Sequence, residues 1–430
     1  MHLSMRWHAH DNKSPRTDTL RSDVSAEGTR TGTERPVCVP SRVCRTKLHT
    51  PQAYDGMVKT IPYKIKNKRR SNMAKVKLGF IGLGHMGQLA HLHNYVQLGD
   101  LCEVVSVCDV KIEQAKQLAS RFAIPKVTAD YRELLADKEI DAVVCIQYFE
   151  NHVVLVPEVL RAGKHVMTEK PLCVFAENGD KLVKAAKDAG KIHMVGNHKR
   201  SDPAVEYAMD VIKQWKETGE MGKMTYIRIS MPPGNWRKDA DMPLMTSETP
   251  GFVPPEPAPD GIDESARNKA VWFVNYYIHQ VNLMRYLLGE DYALTCAGKH
   301  FFSAESESGV NCILELEPYG TSVDWQEHAI VCFEKGWIRI DLAAPLAMQL
   351  AGTVTVYENK GWDSFAKTPM LPNVSAMRNQ AKNFLLAVTG QRAAPCESKE
   401  AVKDLRIAAD YLRMAEVEEK VRYELRNANR

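Results

Sequence analysis

The sequence predicts an α/β protein in which a doubly wound parallel sheet is followed by a second, differently built part. Three observations predict it. Strand-like and helix-like runs alternate regularly from Val76 to Gly196, the pattern of successive βα units. A Gly-x-Gly-x-x-Gly run, at Gly82, Gly84 and Gly87, lies between the first strand-like run and the first helix-like run. Past Asp202 the alternation stops and strand-like runs follow one another, as in an antiparallel or mixed sheet.

Taken in order, residues 1–72 are rich in Arg, Thr and Ser and show no sustained periodicity. Such a leader cannot bury enough apolar surface to offset its ordering entropy, and Met73 stands as the expected natural start. Strands are then expected at Val76–Ile81, Glu103–Asp109, Lys126–Ala129, Asp141–Ile146, His165–Thr168 and Ile192–Gly196. Between them the 3.6-residue period predicts helices at Met86–Leu98, Lys111–Ala123, Tyr131–Ala136, His152–Ala162 and Glu177–Ala189. A helix over Asp202–Thr218 ends at Gly219, and a strand Lys223–Pro232 follows. Pro233–Asn268 holds Pro254, Pro255, Pro257 and Pro259; a loop of this length inside a domain reads as a binding loop or lid, or else as disorder. A helix over Val271–Leu288 ends at Gly289. Strands at Ala293–Phe302, Val310–Glu317, Ser322–Phe333, Trp337–Leu342 and Thr353–Glu358 precede closing helices at Ala376–Val388 and Lys399–Val421. The expected organisation is a leader over 1–72, a doubly wound domain over 73–200, and a second, differently built domain over 201–430.

Bulk properties exclude several classes. Residues 1–72 carry 15 Lys/Arg against 6 Asp/Glu, and the remainder 42 against 47. The basic balance therefore belongs to the leader, which lacks the aromatic pattern that base stacking uses, and no nucleic-acid partner is expected. No apolar run approaches the roughly 18 residues of a membrane span, so no membrane partner is expected either. The ten cysteines form no Cys-x-x-Cys pair or zinc spacing. They read as buried free thiols of a cytoplasmic protein, with no metal site.

The glycine run carries the first chemical signal. Gly82 permits a tight strand-to-helix turn, Gly84 lets a pyrophosphate approach the backbone, and Gly87 lets helix and strand pack closely. The helix N-terminus adds free N–H groups and partial positive charge for the phosphates. Gly82, Leu83, Gly84, His85, Met86 and Gly87 are thus candidate cofactor contacts. Asp109 lies 22 residues beyond Gly87. A carboxylate there accepts hydrogen bonds from ribose hydroxyls and repels a 2′-phosphate, which favours NAD over NADP; the alternative is a helix cap.

Further signals lie beyond that strand pair. In the run from His165 to Pro171, Lys170 stands at the end of a strand, where open α/β sheets bind ligands. Its ammonium can steady a developing alkoxide, or Lys170 is a solvated loop residue. Asn275, His279 and Asn282 fall at i, i+4 and i+7 on one helix face. They form either an acid–base site or a buried polar network. The segment Asn197–Arg200 either lines the site or hinges two domains. Trp236 and Arg237 open the long loop: Trp236 stacks on a sugar or plugs a core, and Arg237 pairs with a carboxylate.

With these residues in place, Val76–Met414 resembles the glucose–fructose oxidoreductase / inositol dehydrogenase / MocA (Gfo/Idh/MocA) family. The resemblance rests on Gly79–Gly87, on Gly163-Lys-His-Val-Met-Thr-Glu-Lys-Pro171, on Gly196–Arg200 and on the helix Asn275–Gly289. It implies a Rossmann domain, then an α/β domain with a large, mostly antiparallel sheet through which subunits form homodimers or homotetramers. It implies NAD(P)-dependent hydride transfer on sugars or polyols, with Lys170 and His279 as the catalytic pair and Asn275 beside them. It adds Gln147, His152, Glu169, Lys170 and Asn197 to the expected cofactor contacts. Lys170, Arg200, Trp236, Arg237, Asn275 and His279 are the expected substrate contacts. Two departures stand out: Asn275 and Asn282 replace the usual aspartates, and Gln147–His152 lacks the usual Thr-Pro-Asn pattern, so Tyr148 reshapes the nicotinamide pocket. The resulting expectation is an NAD-dependent dehydrogenase acting on a secondary alcohol of a sugar, inositol or sugar acid. Two alternatives stay open: a glycosidase that retains NAD and acts by transient oxidation, and a non-catalytic nucleotide-sensing partner.

Overall fold

The computed structural model describes residues 74–428, apart from 239 and 250–253; the expected leader lies outside the described residues. Strands β1 (Val76–Ile81), β2 (Cys102–Cys108), β3 (Lys126–Thr128), β4 (Ala142–Cys145), β5 (His165–Glu169) and β6 (His193–Gly196) form one sheet. Its order is β3-β2-β1-β4-β5-β6 and every pairing is parallel. The order reverses between β1 and β4, which opens a crevice at their carboxyl ends. Ala142, Val143, Val144 and Cys145 are all buried, because helices cover both faces of a parallel sheet.

The connecting helices are α1 (His93–Val96), α2 (Ile112–Phe122), α3 (Tyr131–Ala136), α4 (His152–Arg161) and α5 (Ala176–Ala189). One differs from the sequence reading. The single helix expected over Met86–Leu98 is a π-helical stretch, Gly87–Leu92, that runs into the short α1. The wider turn accompanies a buried contact, His91 Nε2 lying 2.7 Å from Glu169 Oε1. Such bulges concentrate at functional sites.

The second half begins with α6 (Pro203–Thr218), whose start is fixed by Asp202 Oδ1 accepting from the Ala204 N–H at 2.8 Å. Then come β7 (Met224–Met231), α7 (Glu264–Leu288), and β8 (Tyr292–Gly298), β9 (Phe301–Ser306) and β10 (Asn311–Leu316). β11 (Glu327–Phe333), β12 (Gly336–Leu342), β13 (Thr353–Glu358) and β14 (Phe365–Lys367) complete the strands, and α8 (Ala376–Val388) and α9 (Ser398–Ala428) the helices. The eight strands run β14-β13-β12-β11-β7-β10-β9-β8. Only β7 and β10 pair in parallel; the other pairings are antiparallel.

Five elements correct the sequence reading here, two of them in their bounds: β11 begins at Glu327 instead of Ser322, and α9 runs to Ala428 instead of Val421. Helix α7 starts at Glu264, not Val271, because Asp263 caps it by accepting from the Ala266 N–H at 2.8 Å. The run Ala293–Phe302 is a hairpin, since the chain reverses between β8 and β9. The short edge strand β14 was not expected from the sequence.

Two of the contacts that tie the halves together lie at α8 and at the β6 edge. Phe384 and Leu385 of α8 pack with Leu92 and Tyr95. The Val195 N–H donates to Cys396 O at 2.9 Å, which occupies part of the free edge of β6. Buried Cys102, Cys108, Cys145 and Cys312 have thiol pKa values pushed up to about 12, chiefly by burial, which suits inert core thiols.

Deep between α7 and α9 a polar network replaces apolar packing. Arg200 Nε donates to Asn282 Oδ1 at 2.6 Å, Asn282 Nδ2 to Asp404 Oδ2 at 2.6 Å, and Arg285 Nε to Asp404 Oδ1 at 2.8 Å. Asp404 is fully buried. Asp404→Ala strands buried positive charge, so unfolding stability is expected to fall by about 3–5 kcal/mol. Chemical denaturation checks this, and a loss under about 1 kcal/mol, typical of an exposed pair, contradicts it.

Candidate active site

The floor of the crevice is the glycine turn. Its N–H at Gly82 donates to Cys108 O at 2.8 Å, and Gly82 sits at φ +98°, where a Cβ would stand 2.0 Å from Ile146 O. A Cβ on Gly87 would stand 2.3 Å from Gly82 O, so helix and strand meet at backbone distance. A Cβ on Gly84, by contrast, meets nothing within 4 Å. Gly84 is therefore not required by packing; it leaves backbone exposed for a ligand to approach, and the turn fits the diphosphate of a dinucleotide. Gly84→Ala is expected to keep folding stability within about 1 kcal/mol while weakening dinucleotide binding. Thermal unfolding and calorimetric titration separate the two, and unchanged affinity contradicts the role.

Asp109 faces that turn. Its Oδ2 accepts from the Leu83 N–H at 2.6 Å and its Oδ1 from the Lys111 N–H at 2.9 Å. The carboxylate thus braces the turn, and each oxygen retains a lone pair for another donor. Gln88 and Gln114 both donate through Nε2 to Leu83 O at 2.8 Å. Gln147 lies against Gly82, its Nε2 being 2.6 Å from where a Cβ would stand. Tyr148 is exposed and packs on Phe149 with ring centroids 4.6 Å apart.

Lys170 and His279 converge from opposite halves. Lys170 follows β5, and its Nζ donates to the main-chain oxygen of Asn275 at 2.6 Å. Its pKa is lowered to about 8, chiefly by burial, with Lys199 also opposing the charge. His279 lies one turn beyond Asn275 on α7. Its ring meets the His198 ring edge to face at 4.5 Å. Burial, His198, Lys170 and Lys199 together hold its pKa well below the usual histidine range. The Nδ1 of His279 is buried without a hydrogen-bond partner, so no carboxylate relay runs through it. A neutral imidazole thus stands near a lysine ammonium at the crevice, the pairing needed to take a proton from a hydroxyl while steadying its oxygen.

Other expected site residues lie elsewhere or act differently. Asn275 serves Lys170 through its carbonyl. Asn282 is spent on Arg200 and Asp404, so the three-residue helix face divides between cleft and core. Arg200 is correspondingly a network residue, also donating to Pro395 O at 2.9 Å, not a group free to grip substrate. The Asn197 carboxamide donates to Cys396 Sγ at 3.4 Å. His152 is buried, with its Nδ1 3.0 Å from Leu172 O, where it supports the chain after Pro171. Glu169 accepts from the Lys170 N–H at 3.1 Å and pairs with His91; it shapes the site from beneath. Trp236 reaches the turn, its ring 5.9 Å from that of His85. Arg237 lies near enough that its charge, after burial, lowers the His85 pKa.

Sequence reasoning did not single out His91 or the pair Lys199–Glu327. Lys199 Nζ donates to Glu327 Oε2 at 2.5 Å, and Gln280 Nε2 to Glu327 Oε1 at 2.7 Å. His198 also escaped as an individual residue. Only the run of four polar residues ending a buried strand hinted at them.

The long loop is pinned across the crevice. Leu244 exchanges main-chain hydrogen bonds with the Gln88 carboxamide at 2.8 and 3.0 Å. Farther on, the Glu256 carboxylate accepts from the N–H groups of Val174 at 2.7 Å and Phe175 at 3.2 Å, and from Asn178 Nδ2 at 2.8 Å. Among the described residues no His, Cys, Asp and Glu cluster is placed to hold a metal ion, and no helix is long and apolar enough to cross a membrane.

A glycine turn at the switch point of a parallel sheet, with a buried lysine at the end of β5 and a neutral histidine near that lysine, is the arrangement of a dinucleotide-dependent oxidoreductase. Residues 76–197 match the family described as "Oxidoreductase family, NAD-binding Rossmann fold". The match places this segment, residues 76–197, with the nucleotide-binding domain of the Gfo/Idh/MocA family. The chain is 26% identical over 297 residues to an inositol 2-dehydrogenase of Salmonella typhimurium, covering 64% of this chain and 77% of that one. It is 28% identical over 217 residues to a scyllo-inositol 2-dehydrogenase (NAD(+)) of Bacillus subtilis, covering 50% and 55%. Among solved structures, a levoglucosan dehydrogenase in complex with NADH and levoglucosan superposes with a TM-score of 0.63 at 18% identity, covering 80% of this chain and 98% of that one.

Proposed function

We propose that this protein is an NAD-dependent dehydrogenase that oxidises a secondary alcohol of a sugar, inositol or sugar acid. The observation that carries this reading is the convergence of Lys170 and His279 at the carboxyl end of the sheet whose first strand leads into the glycine turn. In this reading residues 73–200 hold the cofactor and 201–430 supply the substrate pocket. The backbone of Gly82–Gly87 holds the diphosphate, and Asp109 accepts from the adenosine ribose while disfavouring a 2′-phosphate. NAD, when bound, supplies the hydride acceptor. Lys170 donates to the substrate oxygen. His279, neutral at physiological pH, takes the hydroxyl proton. Trp236 and Arg237, on the loop beside the turn, close the site from the substrate side. The inositol and levoglucosan dehydrogenases among the relatives support a polyol or sugar substrate.

The test is spectrophotometric NADH production against a panel of inositols, aldoses, glucosides and uronic acids. Turnover on at least one is expected. Release of reducing sugar from a glucoside without net NADH points instead to a retained-NAD glycosidase. Binding of NAD with no turnover points to a sensing role.

The open face of the eight-stranded sheet suits a homodimer or homotetramer. His328, Ile330, Cys332, Trp337 and Tyr357 share it half-buried, and the Trp337 and Tyr357 rings stack at 5.6 Å.

A further inference from the structure

Glu248 belongs to the long loop after β7, yet its carboxylate lies on the N-terminus of α2 in the other half of the chain. Oε1 accepts from the Glu113 N–H and Oε2 from the Gln114 N–H, each at 3.1 Å. Thr246 Oγ1 donates to Oε2 at 2.9 Å and holds the carboxylate in place. α2 has no side-chain cap from its own N-cap residue, Lys111. Glu248 therefore satisfies two of the free donors at this helix end.

The place matters because of what adjoins it. Asp109, two residues before Lys111, braces the glycine turn and is the group placed for the adenosine ribose. A phosphate on the ribose 2′-oxygen would project from Asp109 toward Lys111 and the first turn of α2. Free N–H groups and the helix dipole there would ordinarily welcome such an anion. Here a fixed carboxylate already holds them. The loop is anchored beside it by Leu244 on Gln88, and Gln88 and Gln114 both donate to Leu83 O. The carboxylate is thus tied to the same bonded unit as the turn.

We propose that Glu248 is a second determinant of dinucleotide choice, excluding a 2′-phosphate from across the interface between the two halves; this rests on the reading that the turn holds NAD. Asp109 and Glu248 form a two-carboxylate gate, one from each half, with Lys111 as the cation whose charge bears on Glu248. Glu248 differs from an ordinary helix cap in one measurable respect: its charge, and not only its acceptor oxygens, decides which ligand enters.

The experiment is calorimetric titration of the full chain with ADP-ribose and with 2′-phospho-ADP-ribose. Wild type is expected to favour ADP-ribose. Glu248→Gln keeps the shape and one acceptor but removes the charge. It is expected to tighten 2′-phospho-ADP-ribose binding about tenfold, as loss of one like charge at close range implies, with less than about a threefold change for ADP-ribose. Glu248→Ala, read alongside, is expected to shift the ratio in the same direction. Equal tightening of both ligands makes Glu248 a mere plug and overturns the proposal. An unchanged ratio with ADP-ribose still bound overturns it while the NAD reading stands. Failure of wild type to bind ADP-ribose overturns that reading, and the proposal with it.

Discussion

Lys170→Ala is expected to cut turnover by about two to four powers of ten, the contribution of a positioned proton-transfer or oxyanion group, with NAD affinity nearly unchanged. In the proposed binding mode the glycine turn and Asp109 hold the dinucleotide without help from the ammonium. Lys170 instead sits at the end of β5, its Nζ 2.6 Å from Asn275 O. Its pKa is lowered to about 8, so the charged form persists only below that pH instead of up to the usual lysine range. The sign follows: turnover holds on the acid side and falls as pH rises through about 8, where the ammonium becomes an amine. The residual activity of Lys170→Ala should lack that alkaline limb. Kinetics across pH, with calorimetry for NAD, check both parts. An alkaline limb that survives the substitution assigns it to another group and removes Lys170 from the mechanism.

His279→Ala is expected to cost a similar two to four powers of ten, again without loss of NAD binding. Burial and the nearby His198, Lys170 and Lys199 hold its pKa well below the usual histidine range. The imidazole is then neutral through the physiological range and stays ready to accept a proton. The acid limb of the rate profile should consequently lie below ordinary histidine titration. Near-native turnover of His279→Ala on the true substrate sinks the mechanism and leaves this part of the helix structural. Asn275→Ala should lose less, since Asn275 meets Lys170 through a main-chain oxygen that alanine also supplies.

Much of the fold was legible because its causes are local. Gly82 needs a positive φ, and the buried strand runs announce their own sheet. The family resemblance carried the large antiparallel sheet. The start of α7 was misjudged because the apolar period fades over Glu264–Ala270, and only the Asp263 cap fixes it. The first helix was misjudged because nothing local distinguishes a π-helical stretch from an α-helix.

Within the site, the sequence by itself determined the glycine turn, the placement of Asp109 and the candidacy of Lys170 and His279. Each follows from a backbone constraint or a spacing along one element. The tertiary structure decided everything that depends on distant partners. His91 meets Glu169 across 78 residues of chain, and Lys199 meets Glu327 across 128. Asn282 left the active face because Asp404, 122 residues away, claimed it. Glu248 reached α2 across 135 residues. A buried charge must find a partner or hydrogen bonds, but its own sequence neighbourhood does not say where along the chain they lie.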